Sequence, residues 1–222
     1  MQINGEGSIK KTFSKCYNHR IYFGMRGHGK SELGTMTFSY ELLASDVQKV
    51  LRQERADSVI IIGFSAGAIV GYHMAANYPA VVKRLVAMGG TLSTEGYRDE
   101  QLPGLRNMKL SDLESYFGDF IKERKEIMVQ PERHQELIDK LKTTWFQGDY
   151  LAPETATDIS CPVLIIGGDR DNYFDVAEFA ANFKQIPNAQ LAIIPDCDHI
   201  GLIFNPEILE NVIIPFVSGS DR

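Results

Sequence analysis

Short runs of aliphatic residues alternate along this chain with stretches in which apolar positions recur at helical spacing. Val59-Ile60-Ile61-Ile62 is a row of β-branched residues with no polar interruption, the pattern of a strand buried on both faces of a parallel sheet. Similar runs at 82–88, 162–168 and 190–195 predict further strands, and residues 20–24 a shorter one. Between them, 39–53 places Leu42, Leu43, Val47, Val50 and Leu51 on one helical face, and 68–78 reads as a second helix. Alternation of this kind predicts an α/β fold around a mostly parallel sheet.

After Gly89-Gly90 the alternation stops until about residue 159. Ser111 and Glu114 have capping-box spacing, and the helix behind them would put Leu113, Tyr116, Phe117, Phe120, Ile127 and Met128 on an apolar face. Pro131 would start another helix, with Leu137, Ile138, Leu141, Trp145 and Phe146 facing one way. The expected organisation is a core formed by 1–90 and 159–222, interrupted by a helical insertion at 91–158. Helices at 175–185 and 206–216 complete the core.

The ends of three strands carry the chemistry. Gly63-Phe64-Ser65-Ala66-Gly67 follows the first aliphatic run and opens into a helix, which sets Ser65 at the apex of a sharp strand-to-helix turn. The Ala66 N–H beside it would be placed to hold an oxyanion. A serine nucleophile needs a base, and the base an orienting carboxylate. The 162–168 run opens into Asp169-Arg170-Asp171, and the 190–195 run into Asp196-Cys197-Asp198-His199. In a parallel sheet these loops lie along one edge, where ligands bind.

These motifs resemble the α/β-hydrolase family, and the resemblance covers most of the chain. Met25-Arg26-Gly27-His28-Gly29-Lys30-Ser31 is similar to the family's Arg-Gly-His-Gly turn, and Gly168-Asp169-Arg170-Asp171 to its acid turn, which selects Asp171 over Asp169. His199 followed by Asn205-Pro206-Glu207 is similar to its histidine motif, and the order Ser, Asp, His is the family's own. The resemblance implies a three-layer, mostly parallel sheet of the α/β-hydrolase type with an inserted helical lid. It implies Ser65, His199 and Asp171 as a catalytic triad, oxyanion donors at the Ala66 and Glu6 backbone N–H groups, and no cofactor. Met1-Gln2-Ile3 before Asn4-Gly5 stands where the family has a hairpin and a third strand ending in His-Gly, so the first two strands are expected to be missing. Without them Ile21-Tyr22-Phe23 becomes an edge strand, covered by residues 10–19 or used in a homodimer. Asp198 stands where a glycine commonly precedes the histidine.

Composition narrows the partners. The chain has 222 residues, 44% hydrophobic and 23% charged, with a net charge of −6, which argues against nucleic acid. No signal peptide and no apolar run of membrane-spanning length is evident. Cys16, Cys161 and Cys197 are odd in number and lack metal-ligand spacing, as in a reduced cytoplasmic protein. Cys197 reads as a bystander, His28 as part of a structural turn, His73 as a packed or surface residue, and no metal site is expected. The leading reading is a lidded serine hydrolase acting on a small ester-like or other carbonyl-containing substrate. Carboxylesterase chemistry leads, with carbon–carbon bond hydrolase and lactonase as variants. A serine at 65 argues against dehalogenase and epoxide hydrolase chemistry. The alternative is a non-catalytic small-molecule binding or sensing protein that keeps the fold.

Overall fold

Four aliphatic runs form the sheet of the computed structural model, which describes residues 20–219. β1 (Val59–Phe64), β2 (Val82–Met88), β3 (Val163–Gly168) and β4 (Ala189–Ile194) lie side by side in that order. Every pairing is parallel, with Ile62 beside Val86, Ala87 beside Ile165 and Ile165 beside Leu191. Parallel neighbours need crossover connections, and helices supply them. In chain order the helices are α1 (Tyr40–Gln53), α2 (Ala66–Asn77), α3 (Leu102–Asn107), α4 (Leu110–Ile127), α5 (His134–Trp145), α6 (Pro153–Thr157), α7 (Val176–Gln185), α8 (Gly201–Phe204), α9 (Pro206–Ile208) and α10 (Ile214–Ser218).

Successive strand residues point to opposite sides, so the sheet feeds two apolar layers. Leu85, Ala87, Val163 and Ile165 pack with Leu43, Tyr72, Ala156 and Phe179 from α1, α2, α6 and α7. Val86, Met88, Leu164 and Ile166 pack with Leu202, Ile203, Ile213 and Phe216 from the C-terminal segment. The result is the expected three-layer sandwich. Two of its helices start as their sequences dictate: Ser39 Oγ accepts from the Leu42 N–H at 3.1 Å, and Asp175 Oδ1 from the Ala177 N–H at 3.0 Å.

Several local expectations need correction. Residues 20–24 form no strand, because no described strand lies beside them to complete a ladder. The expected cover by residues 10–19 falls outside the described residues. Among the described residues β1 is an edge of the four-stranded sheet, and Ile62 is 40% exposed rather than buried. The single helix expected over 206–216 is divided into α9, a π turn at Leu209–Ile213 and α10. Pro215 in the first turn of α10 has no N–H with which to continue an earlier helix.

The segment between β2 and β3 is pinched at its base. The Leu92 carbonyl accepts from both the Tyr150 and Leu151 N–H groups, at 2.9 and 3.1 Å, and Ser93 bridges to Asp149. Tyr150, Leu151 and Ala156, grouped with the insertion by sequence, pack in the main core. Within the excursion α4 begins at Leu110, before the Ser111–Glu114 pair expected to cap it. The N-cap is Lys109, and the carboxylate of Asp112, three residues on, accepts from its N–H at 2.8 Å. At Phe117 the backbone leaves helical values (φ −133°, ψ 38°), which breaks the expected apolar stripe. Tyr116 and Phe117 are exposed, and Ile121 is buried instead.

α5 is fastened to the loop before α1. Leu137 packs with Leu33 and Phe38, Arg133 Nη2 donates to the Gly34 carbonyl at 2.8 Å, and Lys140 Nζ donates to the Met36 carbonyl at 2.7 Å. Among the described residues no helix is long and apolar enough to cross a membrane.

Candidate active site

The turn after β1 holds Ser65 at φ 54°, ψ −122°. A non-glycine residue with this backbone is strained by about 1–3 kcal/mol and persists only where its surroundings enforce it. Here the Ser65 N–H donates to the Met88 carbonyl at 2.8 Å, tying the turn to β2, while Gly63 lets the strand run close under the start of α2. Ala66 is the first residue of α2, so its N–H has no acceptor inside the helix. Glu6, the other expected oxyanion donor, lies outside the described residues.

The loops after β3 and β4 bring Asp171 and His199 together. His199 Nδ1 and Asp171 Oδ2 are 2.8 Å apart, and both side chains are buried. The other carboxylate oxygen, Oδ1, accepts from the Tyr173 N–H at 2.9 Å and the Phe174 N–H at 3.1 Å. With Nδ1 bonded to the carboxylate, Nε2 is left as the ring's free nitrogen. Phe64, Tyr173 and Phe174 surround the imidazole, with ring centroids 4.8, 4.9 and 5.8 Å from it. Gly89, at φ +58° on the end of β2, backs onto it so closely that a Cβ would lie 3.0 Å from His199 Cε1. Among the described residues no hydrogen bond joins Ser65 Oγ to the imidazole.

Asp169 has a different task. Its Oδ1 accepts from the Cys197 N–H at 3.3 Å, which ties the β3 loop to the β4 loop. Asp198 likewise serves the backbone, accepting from the Gly201 N–H at 2.6 Å at the entry to α8. Cys197 is buried, and burial together with the charges of Asp198, Asp169, Asp171 and Asp196 pushes its thiol up, away from the reactive thiolate. A cavity of about 390 Å³ near this loop is lined by Arg170, Asp196, Cys197, Asp198, Gly201 and Asn205, and includes none of the expected site residues.

The turn expected to be structural is braced from both sides. Arg26 forms a two-pronged ion pair with Asp46 of α1, Nη2 to Oδ1 at 2.8 Å. Ser31 Oγ donates to the Gly24 carbonyl at 2.7 Å, and His28 Nδ1 to the Arg26 carbonyl at 3.1 Å. His73 is buried in α2, its Nε2 2.6 Å from the Tyr150 carbonyl oxygen.

Sequence reasoning missed Arg98. From the base of the insertion its Nε donates to the Asp171 carbonyl at 2.9 Å, its N–H donates to the Tyr173 carbonyl at 2.8 Å, and its guanidinium lies 3.3 Å from the Asp175 carboxylate. It clamps the acid turn, yet no local motif distinguishes it from any other surface arginine.

Comparison with known proteins agrees with this architecture. The chain is 25% identical over 218 residues to 2-(acetamidomethylene)succinate hydrolase of Mesorhizobium japonicum, covering 90% of this chain and 78% of that protein. It is 26% identical over 183 residues to a 2-hydroxy-6-oxononadienedioate/2-hydroxy-6-oxononatrienedioate hydrolase of a Pseudomonas species, covering 72% of this chain and 62% of that one. The enol-lactonase of Burkholderia xenovorans LB400 has the same fold, with a TM-score of 0.69 at 19% identity over 88% of this chain and 79% of its own. The model of the alpha/beta hydrolase family matches residues 14–211. The chain belongs to the alpha/beta hydrolase family.

Proposed function

We propose that this chain is a lidded serine hydrolase of small ester-like or other carbonyl-containing substrates, with Ser65, His199 and Asp171 as its triad. The observation that carries the reading is the buried His199–Asp171 pair on the edge where β1 ends in the strained Ser65 turn. In the proposed reaction Ser65 Oγ attacks the substrate carbonyl while His199 Nε2 takes its proton. Asp171 fixes the tautomer and stabilises the imidazolium that forms. The Ala66 N–H, joined by that of Glu6, would hold the oxyanion. His199 then gives its proton to the leaving group, and water releases the acyl group from Ser65 by the same route. The helices between Ser93 and Asp149 would act as the lid.

Carbon–carbon bond hydrolysis and lactone opening use the same nucleophile and oxyanion site, and the relatives' names span both. Labelling by a fluorophosphonate probe, with Ser65→Ala as control, tests the nucleophile. A screen of p-nitrophenyl esters of increasing chain length tests turnover. Folded protein that neither labels nor turns over would return the reading to a binding protein on a hydrolase fold.

A further inference from the structure

Residues 96–98, on the outgoing limb of the excursion, lie against the acid turn as a short ladder. Tyr97 and Phe174 form an antiparallel bridge, and the Arg98 N–H donates to the Tyr173 carbonyl at 2.8 Å. The limb also sits close on the start of α7. A Cβ on Gly96 would lie 2.9 Å from Glu178 Cγ, and Arg98 Nη1 is 3.3 Å from the Asp175 carboxylate.

Phe174 serves both members of the buried pair. Its N–H donates to Asp171 Oδ1 at 3.1 Å, and its ring centroid lies 5.8 Å from that of His199. A shift of Phe174 therefore moves a donor to the acid and a neighbour of the imidazole together. Among the described residues two further rings bear on Phe174. Phe179 of α7, 6.3 Å away, is buried in the main core. Tyr97, 4.7 Å away at an interplanar angle of 32°, belongs to the excursion. From Tyr97 the contact continues to Phe146, 6.0 Å away and directly after α5. Over Phe146 lies the Arg106 guanidinium of α3, 4.2 Å from the ring centroid. Centroid spacings of this size are those of packed aromatic pairs. The row Phe146, Tyr97, Phe174, His199 thus joins both limbs of the excursion to the imidazole.

We propose that Tyr97 is a positioning residue for the triad: its ring, in contact with both Phe146 and Phe174, makes the alignment of His199 and Asp171 depend on how the helices of the excursion are seated. This rests on the serine-hydrolase reading and adds regulation to it, since movement of the helical cover over a substrate would reach the imidazole through the same row. Chains of close-packed side chains carry such coupling. A displacement of about 1 Å at a catalytic group can cost on the order of a hundredfold in rate, so a small shift along the row is enough. The role belongs to the ring of Tyr97, because its contacts with Phe146 and Phe174 are ring contacts.

The test compares Tyr97→Leu, Tyr97→Phe and Phe146→Leu with the wild type by two readouts. One is steady-state kinetics on p-nitrophenyl acetate. The other is the far-downfield proton resonance of His199 Nδ1–H, the signature of its bond to a buried carboxylate. Tyr97→Leu should lower kcat by roughly tenfold with little change in KM, and should shift or broaden the resonance. Tyr97→Phe should keep both at wild-type values. Phe146→Leu should show the same pattern more weakly, and the double variant should lose no more than Tyr97→Leu alone, because Phe146 acts through Tyr97. Lower thermal stability with kcat and the resonance unchanged would make Tyr97 a packing residue and overturn the proposal. A loss confined to KM, or additive losses in the double variant, would overturn it equally. If Tyr97→Leu does not fold, Phe146→Leu decides by the same two readouts. If the wild type cleaves no ester, the hydrolase reading fails and the resonance alone decides the coupling. A change in Tyr97→Leu that is absent from Tyr97→Phe would uphold it, and an unchanged resonance would refute it.

Discussion

Gly63 and Gly67 meet across the turn that carries Ser65, but the crowding is one-sided. A Cβ on Gly63 would fall 2.2 Å from the Gly67 carbonyl oxygen, whereas one on Gly67 would, among the described residues, touch nothing nearer than Met25 Cε at 3.7 Å. The two glycines of the motif are therefore not equivalent. Gly63→Ala should lower stability by about 1–3 kcal/mol and distort the turn, because backbone must move. Gly67→Ala, inside the first turn of α2, should be neutral or stabilising by up to about 1 kcal/mol. Thermal unfolding of the two variants distinguishes them, and equal losses would contradict the geometry.

The carboxylates differ as sharply. Asp171 bonds the imidazole, while Asp169 bonds the Cys197 backbone. Ser65→Ala, His199→Ala and Asp171→Asn should each reduce kcat by roughly 10⁴-fold or more. Asp169→Asn should cost much less. Steady-state kinetics on any activated ester reads the ranking, and a more damaging Asp169→Asn would reassign the acid.

Arg98 holds the acid turn by its bonds to the Asp171 and Tyr173 carbonyls. Arg98→Ala should lower kcat by roughly tenfold with little change in KM, because Asp171 loses the brace on its own carbonyl. Arg98→Lys should recover part of this. A pure KM effect would mean that Arg98 meets substrate instead.

Acidification should destabilise the fold through its buried histidines. His134 is held at about 4 and His28 at about 3, below the ordinary value near 6.5. Between those values and 6.5 the unfolded chain binds more protons than the folded one, so stability falls as pH drops through that window. Each histidine contributes a slope of at most about 1.4 kcal/mol per pH unit. Urea titrations from pH 7 to 4 should show a shallower dependence for His134→Gln, and an unchanged slope would exclude His134 as a contributor.

On α4, burial and aromatic character part company. Tyr116 is 80% exposed and Ile121 only 2%. Tyr116→Ser should change stability by no more than about 0.5 kcal/mol, whereas Ile121→Ala should cost about 2–5 kcal/mol. Chemical denaturation measures both.

The sheet was legible because its strands are aliphatic runs bounded by glycine, proline and aspartate, and β2 spans the predicted residues 82–88. The pairing of Asp171 with His199 was legible because both lie in the loops just after such runs, with the choice of Asp171 over Asp169 resting on the family resemblance. Less could be read where structure depends on contacts distant in sequence. Nothing local says that Phe117 will leave the helical region and turn Tyr116 outward. Residues 20–24 have strand composition, but a strand needs a neighbour, and composition carries no information about neighbours. Arg98 looks in sequence like any other arginine of the insertion, and only the fold gives it an aspartate and the acid turn.

The pinch at Leu92, where one carbonyl receives both returning amides, makes the excursion a closed loop on a fixed stem. Closing a loop costs free energy that grows only logarithmically with length, about 0.6 kcal/mol for each doubling. Residues can therefore be gained or lost between Ser93 and Asp149 with little penalty to the sheet, provided α5 keeps its grip on residues 33–36. The strand-end edge and the excursion can diverge at separate rates, and a foreign segment spliced into the excursion should fold on this scaffold without redesign of the strands, as long as Arg98 and α5 are kept.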